Sequence, residues 1–135
     1  MDIPLSINFK KSEFTCKCGA GIPNELMDNL RELVENLQII RNKVEGPVHI
    51  VSGYRTTRYN RKIGGARKSQ HLRAKAADIR ASERSVEELY KIVLQLIADG
   101  KIKKGGVGKY TNFVHYDTRG WNARWTGKGL KDYKK

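Results

Sequence analysis

The sequence predicts an α+β domain, and three observations carry that expectation. Two stretches repeat apolar residues at helical spacing. Several short apolar runs bounded by Gly, Pro or polar turn residues read as strands. The 135 residues show no internal repeat and no low-complexity linker, so 1–135 is expected to be one domain, long enough to bury a core without a staple.

Taken in order, residues 1 to 22 read as an irregular segment ending in the Gly-rich CKCGAGIP. Pro23 suits the first turn of a helix. Leu26, Leu30, Leu33, Leu37, Ile40 and Val44 then follow at alternating spacings of four and three, one apolar face over about five turns. Gly46 and Pro47 are the stop signal. Val48, Ile50 and Val51 predict a short buried strand closed by Ser52-Gly53. His49 within it reads as a hydrogen-bonded or partly exposed filler. Residues 55–70, RTTRYNRKIGGARKSQ, are polar, basic and turn-rich, and predict a long loop with room for a helical turn. Ordered loops of that length in small domains usually carry function. AADIR predicts a second strand. Ser85 to Glu88 is a capping box, and Val86, Leu89, Val93 and Leu96 give the second helix its stripe up to Gly100. GGVGKY and NFVHYDTR predict two further strands around a tight connection. The tail WNARWTGKGLKDYKK is basic, with two tryptophans.

Charge is the loudest compositional feature. Twenty-seven Lys and Arg against fourteen Asp and Glu give a net charge of +13. Such a chain attracts polyanions, whether nucleic acid, cell-wall polymer or acidic lipid. No apolar run is long enough for a transmembrane segment, and the N-terminus lacks a signal-peptide pattern. The chain is therefore expected to be cytoplasmic as made. Cys16 and Cys18 are too close in sequence for an unstrained disulfide, so free thiols are expected. As a metal pair they lack the further ligands of a structural zinc site, which favours a packing role.

His71 lies seven residues before Asp78, and His115 lies two before Asp117. Two imidazoles and one carboxylate, His71, Asp78 and His115, would suit zinc with the fourth position left to water. The alternative is that His71 caps a loop and Asp78 pairs with a neighbouring Arg. The spacing alone leaves both open, because a His and an Asp seven apart form no general metal motif.

Three stretches in chain order resemble the zinc D-Ala-D-Ala carboxypeptidase family, which includes peptidoglycan endopeptidases. They are FKKSEFTCKCGAG, SGYRTTRYNRKIGGARKSQHLRAKAAD and GGVGKYTNFVHYDTRG, spanning about Phe9 to Gly120. The similarity is greatest to small single-domain members from bacteria and phages. The resemblance implies a small, mostly antiparallel sheet flanked by two main helices, as in hedgehog and DD-peptidase domains. It implies a Zn2+ cofactor on His71, Asp78 and His115. It puts the family's substrate-clamping arginine on Arg55, chemically apt because a guanidinium grips a carboxylate or carbonyl in fixed geometry. It puts a serine that hydrogen-bonds near the site on Ser69. Tyr110, with Tyr54 and Trp125, is a candidate groove residue, core packing being the alternative and more common use of such rings. The implied function is zinc-dependent cleavage of an amide in the peptidoglycan stem peptide or crosslink, by a monomer acting at the cell wall, with phage lysis or a virion as one setting.

Two positions depart from the family pattern. Ala74 stands where a glycine is common, which the loop tolerates provided the backbone there is not left-handed. Asn112 stands where many relatives carry the acidic general base, three residues before the last histidine, and Asn cannot take a proton. Asp117 is the nearest carboxylate. If Phe113 to Asp117 is a strand, Asp117 shares the face of His115. It could then be the catalytic base, a hydrogen-bond partner of the ligand imidazole, or a partner of Arg119. Two other classes remain at this point. A binding module on the same fold would keep metal without turnover. A nucleic-acid-binding protein would rest on charge alone, and no specific nucleic acid is expected.

Overall fold

The computed structural model describes residues 2–127; the part of the 1–135 domain expectation that covers residue 1 and 128–135 lies outside them. The helix predicted from the leucine face is α1 (Met27–Val44), and Leu30, Leu33, Leu37 and Ile40 on its inner side are fully buried. Burying each contributes about 1.5–3 kcal/mol. A 3₁₀ turn, Asn24–Leu26, follows Pro23 and feeds the helix, so Leu26 precedes it rather than opening it. The left-handed residue that ends α1 is Glu45, at φ 58°, one position before the expected glycine. Gly46 is needed for closeness instead: a Cβ there would meet the Glu83 carboxylate at 2.8 Å.

Strand β1 (Val48–Ser52) runs into the long loop, where residues Thr57–Lys62 form the short helix α2. A 3₁₀ turn, Gln70–Arg73, precedes β2 (Ala76–Ala81). The predicted capping box is present, with the Ser85 hydroxyl accepting from Glu88 N–H, and it starts α3 (Val86–Ala98). β3 (Gly106–Lys109) and β4 (Val114–Asp117) are the two predicted strands, and β5 (Ala123–Thr126), in the tail, is an addition to them. The sequence of the tail gives no alternation that would mark a strand. Its pairing with β3 is a long-range contact.

The five strands lie in the order β1-β2-β4-β3-β5, antiparallel except for the parallel β3–β5 pair. Ala77, Ile79, Val114, Tyr116 and Val107 join the core with α1 and α3. The opposite face of β2 and β4 carries Asp78, His115 and Asp117. Register makes a single row across the sheet: Ser52 faces Asp78, Asp78 faces His115, His115 faces Gly108, and Gly108 faces Trp125. No helix among the described residues is long and apolar enough to cross a membrane.

Candidate metal centre and its pocket

Asp78, His115 and Trp125 of that cross-sheet row line a cavity of about 260 Å³, together with His71. The loop half is built by local contacts. The Ser69 hydroxyl caps the 3₁₀ turn by accepting from His71 N–H at 3.1 Å, and the Arg55 N–H donates to the His71 carbonyl. Ala74 ends the turn at φ 56°, in the left-handed region. The condition for an unstrained alanine is therefore not met, and the loop carries the Cβ penalty. Tight packing holds it there, with Ala74 1% exposed.

His71 Nε2 lies 3.2 Å from Asp78 Oδ1, and His115 Nδ1 lies 3.1 Å from the same oxygen. One donor atom from each of the three residues falls within 4.8 Å of the others, and all three side chains are buried. For bonds of 2.0–2.1 Å in a tetrahedron, ligand atoms sit about 3.3 Å apart. The outer ring nitrogens decide the tautomers. His71 Nδ1 is 2.7 Å from the Gly53 carbonyl, which can only accept, so Nδ1 carries the proton. Burial pushes the His71 pKa down, and a ring protonated at Nδ1 alone would offer its Nε2 lone pair toward Asp78 as a metal ligand. Burial would raise Asp78, but its contacts with His71 and His115 outweigh burial and hold its carboxyl well below the usual carboxylate range. The donor set fits zinc on chemistry and spacing.

Arg55, the residue expected to clamp substrate, is also held by three protein partners. It lines the pocket but is only 2% exposed. Nε donates to Ser52 Oγ at 3.1 Å, Nη1 to Asn60 Oδ1 at 2.9 Å and Nη2 to Asp78 Oδ2 at 3.0 Å. The guanidinium thus grips the carboxylate oxygen that faces away from the imidazoles.

Asp117 makes the contacts of the second and third of its three expected roles. Its Oδ2 is 2.6 Å from His115 Nε2, and Arg119 donates to both of its oxygens at 2.9 and 2.8 Å. Gly106 N–H adds a further bond to Oδ1. Asp117 is fully buried behind His115 and is not part of the pocket wall. A general base must reach the attacking water; here both Asp117 oxygens are engaged by His115, Arg119 and Gly106. Burial lowers the His115 pKa, but hydrogen bonds to Asp117 and Asp78 prevail and raise it above the ordinary value. Asp117 itself lies well below the carboxylate range: burial raises it, and His115 and Arg119 outweigh that.

Tyr110 and Trp125 line the pocket as expected, with Trp125 Nε1 donating to the Tyr110 hydroxyl at 2.8 Å. Gly108 permits this: a Cβ there would meet Trp125 Nε1 at 2.3 Å, and its absence lets the indole lie 5.0 Å from the His115 ring. Tyr54 packs against the core instead. Lys68, Gln70 and Phe113 also line the pocket, and sequence reasoning missed them together with Asn60. Asn60 could not have been found, because it matters only through a contact made in three dimensions. Cys16 is buried and Cys18 exposed, both as free thiols. Their Sγ atoms are 2.8 Å apart, and among the described residues no third ligating group joins them.

His71, Asp78 and His115, converging beside a surface pocket, form a group that could hold a metal ion, an arrangement of the class used by metal-dependent hydrolases. The chain belongs, more particularly, to the peptidase M15 family, whose family model matches residues 7–117. Among curated proteins it is similar to the peptidoglycan L,D-endopeptidase MepK of Escherichia coli K12, of Escherichia coli O157:H7 and of Shigella flexneri. Each is 35% identical over 79 residues, which takes in 53% of this chain and 40% of the relative. The match thus spans less than half the length of those relatives.

Proposed function

We propose that the protein is a zinc-dependent peptidoglycan hydrolase that cleaves an amide in the stem peptide or its crosslink, acting as a monomer at the cell wall. The observation that carries this reading is the convergence of His71 Nε2, Asp78 Oδ1 and His115 Nδ1, with both outer imidazole nitrogens already engaged. The similarity to a peptidoglycan endopeptidase supplies the substrate class. Zinc held there would supply Lewis-acid polarisation of the scissile carbonyl and lower the pKa of water to about 7.

The protein's own residues do the positioning. Gly53 and Asp117 fix the two rings, and Arg55 fixes Asp78, so in this reading Arg55 and Asp117 are positioning residues. Ser69 holds the turn that carries His71. Lys68, exposed on the pocket rim, is placed to take a substrate carboxylate. Tyr110 and Trp125 form an aromatic wall against the peptide. The phage setting is one context for such an enzyme and rests on the substrate reading alone.

One observation favours a second reading, a peptidoglycan-binding module of low turnover. Among the described residues the pocket wall contains no carboxylate besides Asp78. Mass spectrometry of purified peptidoglycan after incubation with zinc-loaded protein separates the two. New stem-peptide fragments, absent with His71→Ala, support the hydrolase and name the bond. Stoichiometric zinc in the wild type with no fragment formed would leave the binding module. Full zinc content in both His71→Ala and His115→Ala would overturn the ligand set itself.

A further inference from the structure

Helix α2 stands between two cavities. On one side Asn60 turns inward to Arg55 and the metal-centre pocket. On the other, Arg58, Tyr59 and Lys62, which share a helix face by their spacing, line a second cavity of about 760 Å³ together with Lys17, Cys18 and Thr56. Three of those six side chains are cationic and none is acidic.

The surroundings have the same sign. From Gly46 to Ala77 the chain has no Asp or Glu, while it has Arg55, Arg58, Arg61, Lys62, Arg67, Lys68, Arg73 and Lys75. Of these Arg55 is buried, Lys75 is half-buried and the other six are exposed. None of the six exposed ones forms an ion pair with a described residue. Elsewhere exposed lysines do find acids: Lys103 pairs with Glu32, and Lys109 with Glu87. Holding so many like charges along one loop costs self-repulsion, and an anionic ligand would relieve it.

We propose that the cavity lined by Lys17, Thr56, Arg58, Tyr59 and Lys62 is an anion subsite that seats a stem-peptide carboxylate of the peptidoglycan polymer, on a strand segment next to the one being cut. This deepens the peptidoglycan reading and rests on it. The carboxylates of neighbouring stem peptides repeat along the polymer, so in this proposal one chain occupies the pocket and the subsite together. The second contact is then intramolecular and raises retention on the wall well above that on a single fragment. A soluble one-peptide fragment fills the metal-centre pocket alone.

The test uses the full chain loaded with zinc and the double variant Arg58→Gln/Lys62→Gln. Both residues are exposed, so the fold is expected to hold, and thermal unfolding checks it. Co-sedimentation with purified sacculi should weaken about tenfold in the variant, with hydrolysis of sub-saturating sacculi falling in step. Cleavage of a soluble single-stem muropeptide should match the wild type. Raising salt should weaken wild-type retention more than that of the variant. Sacculi stripped of attached phosphate polymers should bind as before, and sacculi with amidated carboxylates should not. Equal retention of wild type and variant overturns the subsite, and so does an equal loss on both substrates. Loss of binding on stripped sacculi assigns the cavity to phosphate and overturns the carboxylate assignment. If the wild type cuts neither substrate, the hydrolase reading fails, while the sedimentation arm still decides the subsite.

Discussion

Asp78 and His115 face each other across the β2–β4 ladder, whereas His71 reaches the same point from a 3₁₀ turn. The sheet half of the centre is positioned by backbone register. Once β2 and β4 pair, the cross-strand neighbours Asp78 and His115 are together, and Asp117, two residues on, is beside His115. The loop half has no ladder to rely on. His71 is held by the Gly53 carbonyl, by the Ser69 hydroxyl and by the Arg55 backbone, and Arg55 is held in turn by Asn60. The difference teaches that the same buried charge network does two jobs: on the sheet it tunes ligands already in place, and in the loop it places the ligand.

Substitutions can break the two halves separately. The largest effect is expected from Asp78→Ala, which strikes both. It removes a ligand and leaves the Arg55 guanidinium buried without its carboxylate, costing about 3–5 kcal/mol. Denaturant unfolding measures the loss, and zinc content should fall to background. Asn60→Ala strikes only the loop half. An unpartnered buried donor on Arg55 costs about 1–3 kcal/mol, and zinc affinity should fall while the β2–β4 amides keep their hydrogen-exchange protection. Comparable loss of protection in both halves would show that they are one unit.

Asp117→Asn tests the sheet half. Removing the charge behind His115 should lower zinc affinity about 10–100-fold, read by competition with a chelator. Unchanged affinity with abolished hydrolysis would return Asp117 to the role of base. The same residue gives a pH signature in metal-free protein. Asp78 and Asp117 both have folded-state pKa values below the ordinary 3.8. The unfolded chain then binds more protons than the folded one in that range. Their contribution is present above the ordinary carboxylate pKa and is lost as pH falls below it. Unfolding midpoints taken from pH 6 downward should drop there, less steeply in Asp117→Asn.

The smallest effect is expected at Ala74→Gly, in the loop half. Relief of the left-handed Cβ strain, about 1–2 kcal/mol, is offset by a lost buried methyl of about 0.8 kcal/mol and by glycine's greater chain entropy. Stability should change by less than about 1 kcal/mol, and zinc content should not change.

The helices were legible in the sequence because an apolar stripe of period 3.6 is a local property, as Leu30, Leu33 and Leu37 illustrate. The capping box of Ser85 and Glu88 is local for the same reason. The ligands His71, Asp78 and His115 were legible through three motifs that resemble one family, and their convergence then followed from strand register. Their support was less so. Asn60 has no mark in a linear pattern, and nothing in the sequence marks Arg55, expected as a substrate clamp, as the partner of Asp78.

What the sequence by itself determined, then, is the two long helices, the first four strands and the strong positive charge. These depend on residue type and short-range spacing. The three candidate donors came from the motifs that resemble one family. Only the tertiary structure decided that Arg55 braces Asp78, that Asp117 stands behind His115 instead of facing substrate, and that Gly108 makes room for Trp125. Each of those is set by which side chain is buried against which, a choice made when the β1–β2–β4–β3–β5 sheet assembles from strands distant in the chain.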